Sequence, residues 1–188
     1  MSKKKKSNNY QPSNIPVLFF DGGSRGNPGK AAGAAVILMP DGVCHSVSEF
    51  LDFATNNEAE YTGLIVGLQE AKALGLQELQ VKGDSNLVVN QVNGVWKINS
   101  DRLRSLCNQA RSLSRSFQKV TINWIPRDQN KLADAAANQC MNQGFGSSNS
   151  FQRQKKTPVA ENISSEIEPA IANTPAGIEP TIAQIIKL

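Results

Sequence analysis

Four carboxylates, Asp21, Glu60, Asp84 and Asp134, stand where secondary structure is expected to begin or end. Asp21 closes the apolar run Val17-Leu18-Phe19-Phe20 and precedes Gly22-Gly23-Ser24-Arg25-Gly26-Asn27-Pro28-Gly29. The run predicts a buried strand, and the glycines and proline predict that it stops at Asp21 and turns away. Small residues there would let a phosphate or a nucleic-acid backbone come close. Asp84 follows Leu79-Gln80-Val81-Lys82-Gly83, a second strand-like run. If the two strands are parallel neighbours, their ends lie about 5 Å apart, and sites in open α/β sheets gather outside such ends. Glu60 lies in the first turns of a helix opened by Asn56-Asn57-Glu58. At about 100° per residue it shares a face with Leu64, Gly67, Leu68, Ala71 and Leu74, so it points at the sheet. Glu58 falls with Thr62, Gln69 and Lys72 and reads as a solvated acid complementing the helix dipole. Asp134 lies early in a last helix, amid Leu132, Ala133, Ala135, Ala136 and Ala137.

Taken singly, these acids have bland readings: a hairpin Asp or a helix-dipole acid. Taken together they suit oxygen-rich coordination of Mg²⁺ or Mn²⁺. Two such ions about 4 Å apart are a known arrangement for phosphodiester hydrolysis, one activating water and the other stabilising the leaving oxygen. Softer metals have no ligand set: His45 is the only histidine, and Cys44, Cys107 and Cys140 are scattered.

The elements that must position these acids follow from pattern. Residues 16–21 form the first strand. Ala31 to Met39 form a second, and Pro40-Asp41-Gly42 turns into a third from Val43 to Phe50. A helix runs to about Leu74 and stops at Gly75. The strand 79–83 leads to a short helix capped by Ser85 and broken at Asn93-Gly94. Asp101 caps another helix, with Leu103, Leu106, Cys107, Ala110 and Leu113 on one face. Val120 to Ile125 is the fifth strand, and Asn130 to about Asn142 the last helix, ended by Gly144. The order β-β-β-α-β-α-α-β-α implies an α/β protein with a mixed sheet and packed helices.

Composition sets the bounds. The 188 residues suffice for one domain with a core. The net charge of +4 comes from Lys3, Lys4, Lys5 and Lys6, because basic and acidic residues balance over 15–144 and over 145–188. The expected organisation is a flexible lysine-rich leader (1–14), a catalytic domain (15–144) and a disordered tail (145–188) rich in Ser, Gln, Pro and Ala. The tail holds a near-repeat, Ile167-Glu168-Pro169 and Ile178-Glu179-Pro180, which could serve a weak protein partner. No apolar stretch is long enough to span a bilayer and none follows the lysines as a secretory signal requires. Three scattered cysteines fit a reducing cytoplasm.

Four motifs resemble type 1 ribonuclease H: Asp21-Gly22-Gly23-Ser24-Arg25-Gly26-Asn27-Pro28-Gly29, Thr55-Asn56-Asn57-Glu58-Ala59-Glu60, Gly83-Asp84-Ser85-Asn86, and Asn130-Lys131-Leu132-Ala133-Asp134. They span about residues 16–144, in the family's order. The resemblance implies a ribonuclease H-like five-stranded mixed sheet, order 3-2-1-4-5 with strand 2 antiparallel and helices on both faces. It implies a monomer that hydrolyses the RNA strand of RNA–DNA hybrids, leaving 5′-phosphate ends. Asp21 would bridge two Mg²⁺ ions (Mn²⁺ in their place is compatible), with Asp134 on the water side and Glu60 and Asp84 completing the other site. Asn27, Asn56, Asn57 and Asn86 match hybrid-contacting positions, and Thr55 a seat for a DNA phosphate.

Two departures stand out. The loop before the last helix reads Ile125-Pro126-Arg127-Asp128-Gln129, with no histidine, as in a sub-group with Pro-Arg there. Arg127 could stabilise phosphate charge or sit in a surface ion pair. The basic protrusion is missing too, leaving Trp96 and Lys97 between the middle helices, either as DNA-strand contacts or, for Trp96, as interhelix packing. The competing class is a non-catalytic nucleic-acid-binding module of the same fold, which has no need of all four acids. An actin-like phosphotransferase would need a second lobe for which the chain lacks room.

Overall fold

The computed structural model describes residues 14–152. The lysine-rich leader and the tail beyond 152 lie outside them. The elements run β1 (Val17–Gly26), β2 (Gly29–Leu38), β3 (Val43–Ala54), α1 (Asn56–Ala73), β4 (Glu78–Gly83), α2 (Asn86–Val92), α3 (Asp101–Ser114), β5 (Lys119–Trp124), α4 (Lys131–Gln143) and β6 (Ser147–Gln152). The sheet order is β5-β4-β1-β2-β3-β6. β2 is antiparallel to both β1 and β3, while β1–β4 and β4–β5 are parallel. The expected 3-2-1-4-5 arrangement is present.

Strand periodicity sorts the helices onto two faces. Leu18, Phe20, Ala35 and Ile37 point one way and pack with Tyr61, Leu64 and Leu68 of α1. Ala34 and Val36 point the other way and meet Ala136 and Ala137 of α4. Each large apolar side chain fully buried this way contributes about 1.5–3 kcal/mol. Gly144, at φ +75°, closes α4 in the left-handed conformation that favours glycine.

Two expectations need correction. First, β1 does not stop at Asp21: it stays paired with β2 out to Gly26↔Gly29. What stops is its pairing with β4, at Phe20↔Gly83. The glycines do not break the strand because they make room for a helix. A Cβ on Gly22 would lie 2.1 Å from the Ala59 carbonyl carbon, and one on Gly33 would lie 2.3 Å from the Gly63 nitrogen. Gly63 in turn lies against the Asp21 carbonyl, 2.2 Å from an added Cβ. The absence of a side chain at Gly22 thus serves the close approach of the α1 backbone, while Gly22 and Gly23 also line the acid-bearing cleft. Second, residues 147–152 form β6 on the β3 edge, with Ser48↔Ser147 and Val43↔Gln152 as the end pairs. The expected irregular tail therefore does not begin at 145. Ser147-Ser148-Asn149-Ser150 carries no hydrophobic alternation, and pairing with an otherwise open edge makes the strand.

Gly33→Ala should destabilise the protein by about 3 kcal/mol or more, because its clash is with helix backbone that cannot swing aside. The roughly 0.4–1 kcal/mol gained from a stiffer unfolded chain is too small to compensate. A urea-unfolding midpoint equal to wild type would show that the helix has slack at this crossing.

Candidate active site

Asp21 alternates with Phe20 and so projects to the α4 face, whereas Glu60 comes from α1 on the other face. They can meet because β4 has ended: beyond Phe20↔Gly83 no strand separates them. Asp84 lies one residue past that last pair, in the bend before α2. Asp21, Glu60 and Asp84 each offer an oxygen, and these oxygens all lie within 4.8 Å of one another. Asp21 is 5% exposed and Glu60 9%.

Such proximity is costly without a cation. Burial, then the Asp84 charge, pushes the Asp21 carboxyl up to about 7, although the Gly22 N–H donates to its Oδ1 at 2.8 Å. Burial followed by the charges of Asp21 and Asp84 pushes Glu60 up to about 9, with Arg127 and the Ser85 hydroxyl opposing. Glu60 Oε2 is buried with no hydrogen-bond partner. Three hard oxygen donors, one of them orphaned, fit a divalent cation such as Mg²⁺ or Mn²⁺.

Asp134 is placed differently. It lines the same cleft of about 240 Å³ as Asp21, Glu60, Asn56 and Arg127, but it lies outside the three-acid cluster. Its Oδ1 accepts from Arg127 Nη2 at 2.9 Å and its Oδ2 from Asn138 Nδ2 at 3.2 Å. The bond to Asp134 raises the pKa of the Arg127 guanidinium further. Arg127 therefore forms an ion pair, as one of its two readings expected, and does so inside the cleft. A groove of about 560 Å³ between β3 and α1 is larger but carries none of the four acids.

The remaining residues surround this centre unevenly. Asn27, at the β1–β2 turn, accepts through Oδ1 from the Asn56 N–H at 3.1 Å and so ties the hairpin tip to α1. Thr55 is the N-cap of α1, and Asn56 and Asn57 are its first residues. The Thr55 hydroxyl accepts from the Glu58 N–H, while Glu58 Oε2 accepts from the Thr55 N–H at 2.7 Å. Glu58 is not the solvated acid expected: this capping box, and Arg102 at 3.5 Å, hold it. The Thr55 N–H bond is the main cause that keeps its carboxyl below the usual range. Asn27, Thr55, Asn57, Glu58 and Arg102 share a second cavity of about 290 Å³. Asn86 begins α2 beside Asp84. Trp96 is half-exposed, and the Lys97 carbonyl accepts from Gln91 Nε2 at 3.1 Å. Neither lines the acid cleft.

Asn130 is the residue that sequence reasoning left out of the site. Its Nδ2 donates to Asp84 Oδ1 at 2.6 Å and to the Phe20 carbonyl at 2.8 Å. An Asn four residues before an acid, at a helix start, reads as a cap, which hid this role.

Residues 19–140 match the family model described as "Reverse transcriptase-like". The bifunctional protein Rv2228c of Mycobacterium tuberculosis is 44% identical over 127 residues, which cover 66% of this chain and 35% of that protein. This chain thus spans about a third of that relative's length. The crystal structure of RNase H1 from Halobacterium salinarum is 38% identical, with a TM-score of 0.66, over 69% of this chain and 98% of that one. The structure of LC11-RNase H1 in complex with an RNA/DNA hybrid is 30% identical, with a TM-score of 0.64, over 68% and 97%. No helix among the described residues is long and apolar enough to cross a membrane. With the fold, the acid cluster and these relatives in agreement, the chain belongs to the type 1 ribonuclease H family.

Proposed function

We propose that this chain hydrolyses the RNA strand of RNA–DNA hybrids with two divalent cations, Mg²⁺ or Mn²⁺. The observation that carries the reading is the convergence of Asp21, Glu60 and Asp84, with Glu60 Oε2 orphaned. When bound, the cations would supply the charge that lowers the pKa of the attacking water and stabilises the leaving oxygen. Asp21, Glu60 and Asp84 would hold one cation, and Asp134, now paired with Arg127, would help hold the other, with Asp21 as the common ligand that the family resemblance implies. Water adds at phosphorus, the bond to the ribose 3′ oxygen breaks, and 5′-phosphate and 3′-hydroxyl ends result.

Asn27, Asn56, Asn57 and Asn86 recognise sugar and base edges, since amides both donate and accept without adding charge. Thr55 marks the N-terminus of α1, where the helix dipole favours a DNA phosphate. Trp96 and Lys97 take the DNA strand by stacking and charge. By the family resemblance, Glu60 would meet the 2′-hydroxyl, the group that distinguishes RNA from DNA. The scattered, buried cysteines support a cytoplasmic setting.

End-labelled hybrid, RNA duplex and DNA duplex, each incubated with the protein in Mg²⁺ and in Mn²⁺, test the substrate class. Cleavage confined to the RNA strand of the hybrid is expected. Comparable cutting of all three, or of none, would refute the assignment.

A further inference from the structure

Asn130 uses its side chain unlike most residues at a helix start. It is the N-cap of α4, yet it makes no side-chain capping bond, although an Asn oxygen there ordinarily accepts a helix N–H. The side chain instead turns into the sheet and is fully buried. Nδ2 donates to the Phe20 carbonyl at 2.8 Å and to Asp84 Oδ1 at 2.6 Å, while Oδ1 has no partner. These two acceptors flank the point where β1 and β4 part: Phe20 and Gly83 are the last pair, and Asp21 and Asp84 come next. One amide group thus spans the fork between the two strands that carry the central acids.

The neighbouring bonds complete the clamp. Trp124 Nε1 donates to the Asp84 carbonyl at 3.0 Å, and the Ile125 N–H to the Gly83 carbonyl at 3.0 Å. The Asp134 N–H donates to the Asn130 carbonyl at 3.1 Å and sets the first turn that carries the fourth acid. A residue selected only to start the helix would cap it. This one leaves the cap and an oxygen unsatisfied in order to donate twice, and one acceptor is a carboxylate of the acid cluster.

We infer that Asn130 is a positioning residue: its amide fixes the Asp84 carboxylate relative to Asp21 and thereby sets the affinity of the cluster for a divalent cation. The inference rests on the metal-dependent reading above. It touches neither cation nor substrate and acts through Asp84, as outer partners of metal ligands do.

Calorimetric titration of Mn²⁺ into the full chain tests it, with wild type, Asn130→Ala, Asp84→Asn and the double variant. Asn130→Ala should bind Mn²⁺ roughly 10–100-fold more weakly. In the Asp84→Asn background the same change should alter Kd by less than about two-fold, because its effect passes through Asp84. Asn130→Leu, which fills the volume without a donor, is titrated alongside and should show the same loss. Both are measured at temperatures where circular dichroism shows native structure. An unchanged Kd in either folded variant, or an equal loss in both backgrounds, would overturn the inference, since a purely structural role lowers the melting temperature alone. Wild type that binds no Mn²⁺ would sink the metal-dependent reading itself.

Discussion

Asp84→Asn should lower the single-turnover rate of hybrid cleavage by about 10³-fold or more, in line with the loss of electrostatic stabilisation at a charge-developing centre. The fold should survive. The replacement is isosteric, its backbone stays clamped by Trp124 Nε1, and its side-chain oxygen can still accept from Asn130. The cluster of three acids loses one anionic ligand, while the Asn and Trp groups proposed to hold the hybrid are untouched. Filter binding at low Mg²⁺ should give a hybrid Kd within about three-fold of wild type, each ten-fold being worth about 1.4 kcal/mol. A variant that cuts at the wild-type rate would remove Asp84 from the chemistry.

Glu60→Gln should stabilise the metal-free protein, and only at high pH. In the folded chain the carboxyls of Asp21 and Glu60 stand at about 7 and about 9, against ordinary values of 3.8 and 4.5. Between the ordinary and the raised values the folded state holds protons that the unfolded state has released. Stability is therefore greatest below about pH 4 as far as these groups go, and falls as pH rises through 7 and toward 9. The native cluster is a source of instability that a bound cation would offset. Gln removes the charge problem, although its amide is imperfectly paired at a cost of about 1–2 kcal/mol. The net gain at pH 8 should be about 2 kcal/mol, or roughly 5 °C in Tm, and should vanish at pH 5. Melting in EDTA at both pH values measures this. A gain of equal size at pH 5 would assign it to packing. For the same reason, Mg²⁺ should raise the Tm of wild type more at pH 8 than at pH 5, because protons and cation compete for the same oxygens.

The sequence made some of this legible and hid the rest for physical reasons. The four acids could be found because each sits at a boundary that local pattern marks: an apolar run ending, a helix beginning. Helical phase put Gly67 on the sheet face, and a Cβ there would lie 2.5 Å from the Ala35 Cβ. The meaning of Gly22 was not readable. A glycine that clears a helix backbone nearly forty residues later looks the same as one that makes a turn. Glu58 and Glu60 were told apart by helical phase, but phase alone could not show that Glu58 caps its own helix while pairing with Arg102. Arg127 and Asp134 are close in sequence, yet only the fold puts their pairing inside the cleft. β6 depends on partner β3 and not on its own residues, and Asn130 depends on two acceptors, one of them 110 residues away.

The most direct test of metal-dependent hydrolysis at Asp21 is single-turnover cleavage of one RNA–DNA hybrid by wild type and Asp21→Asn, side by side, in Mg²⁺ and in EDTA. Wild type should cleave the RNA strand in Mg²⁺ alone, leaving 5′-phosphate ends. Cleavage that persists in EDTA or in Asp21→Asn, or a wild type inert in both Mg²⁺ and Mn²⁺, would contradict it.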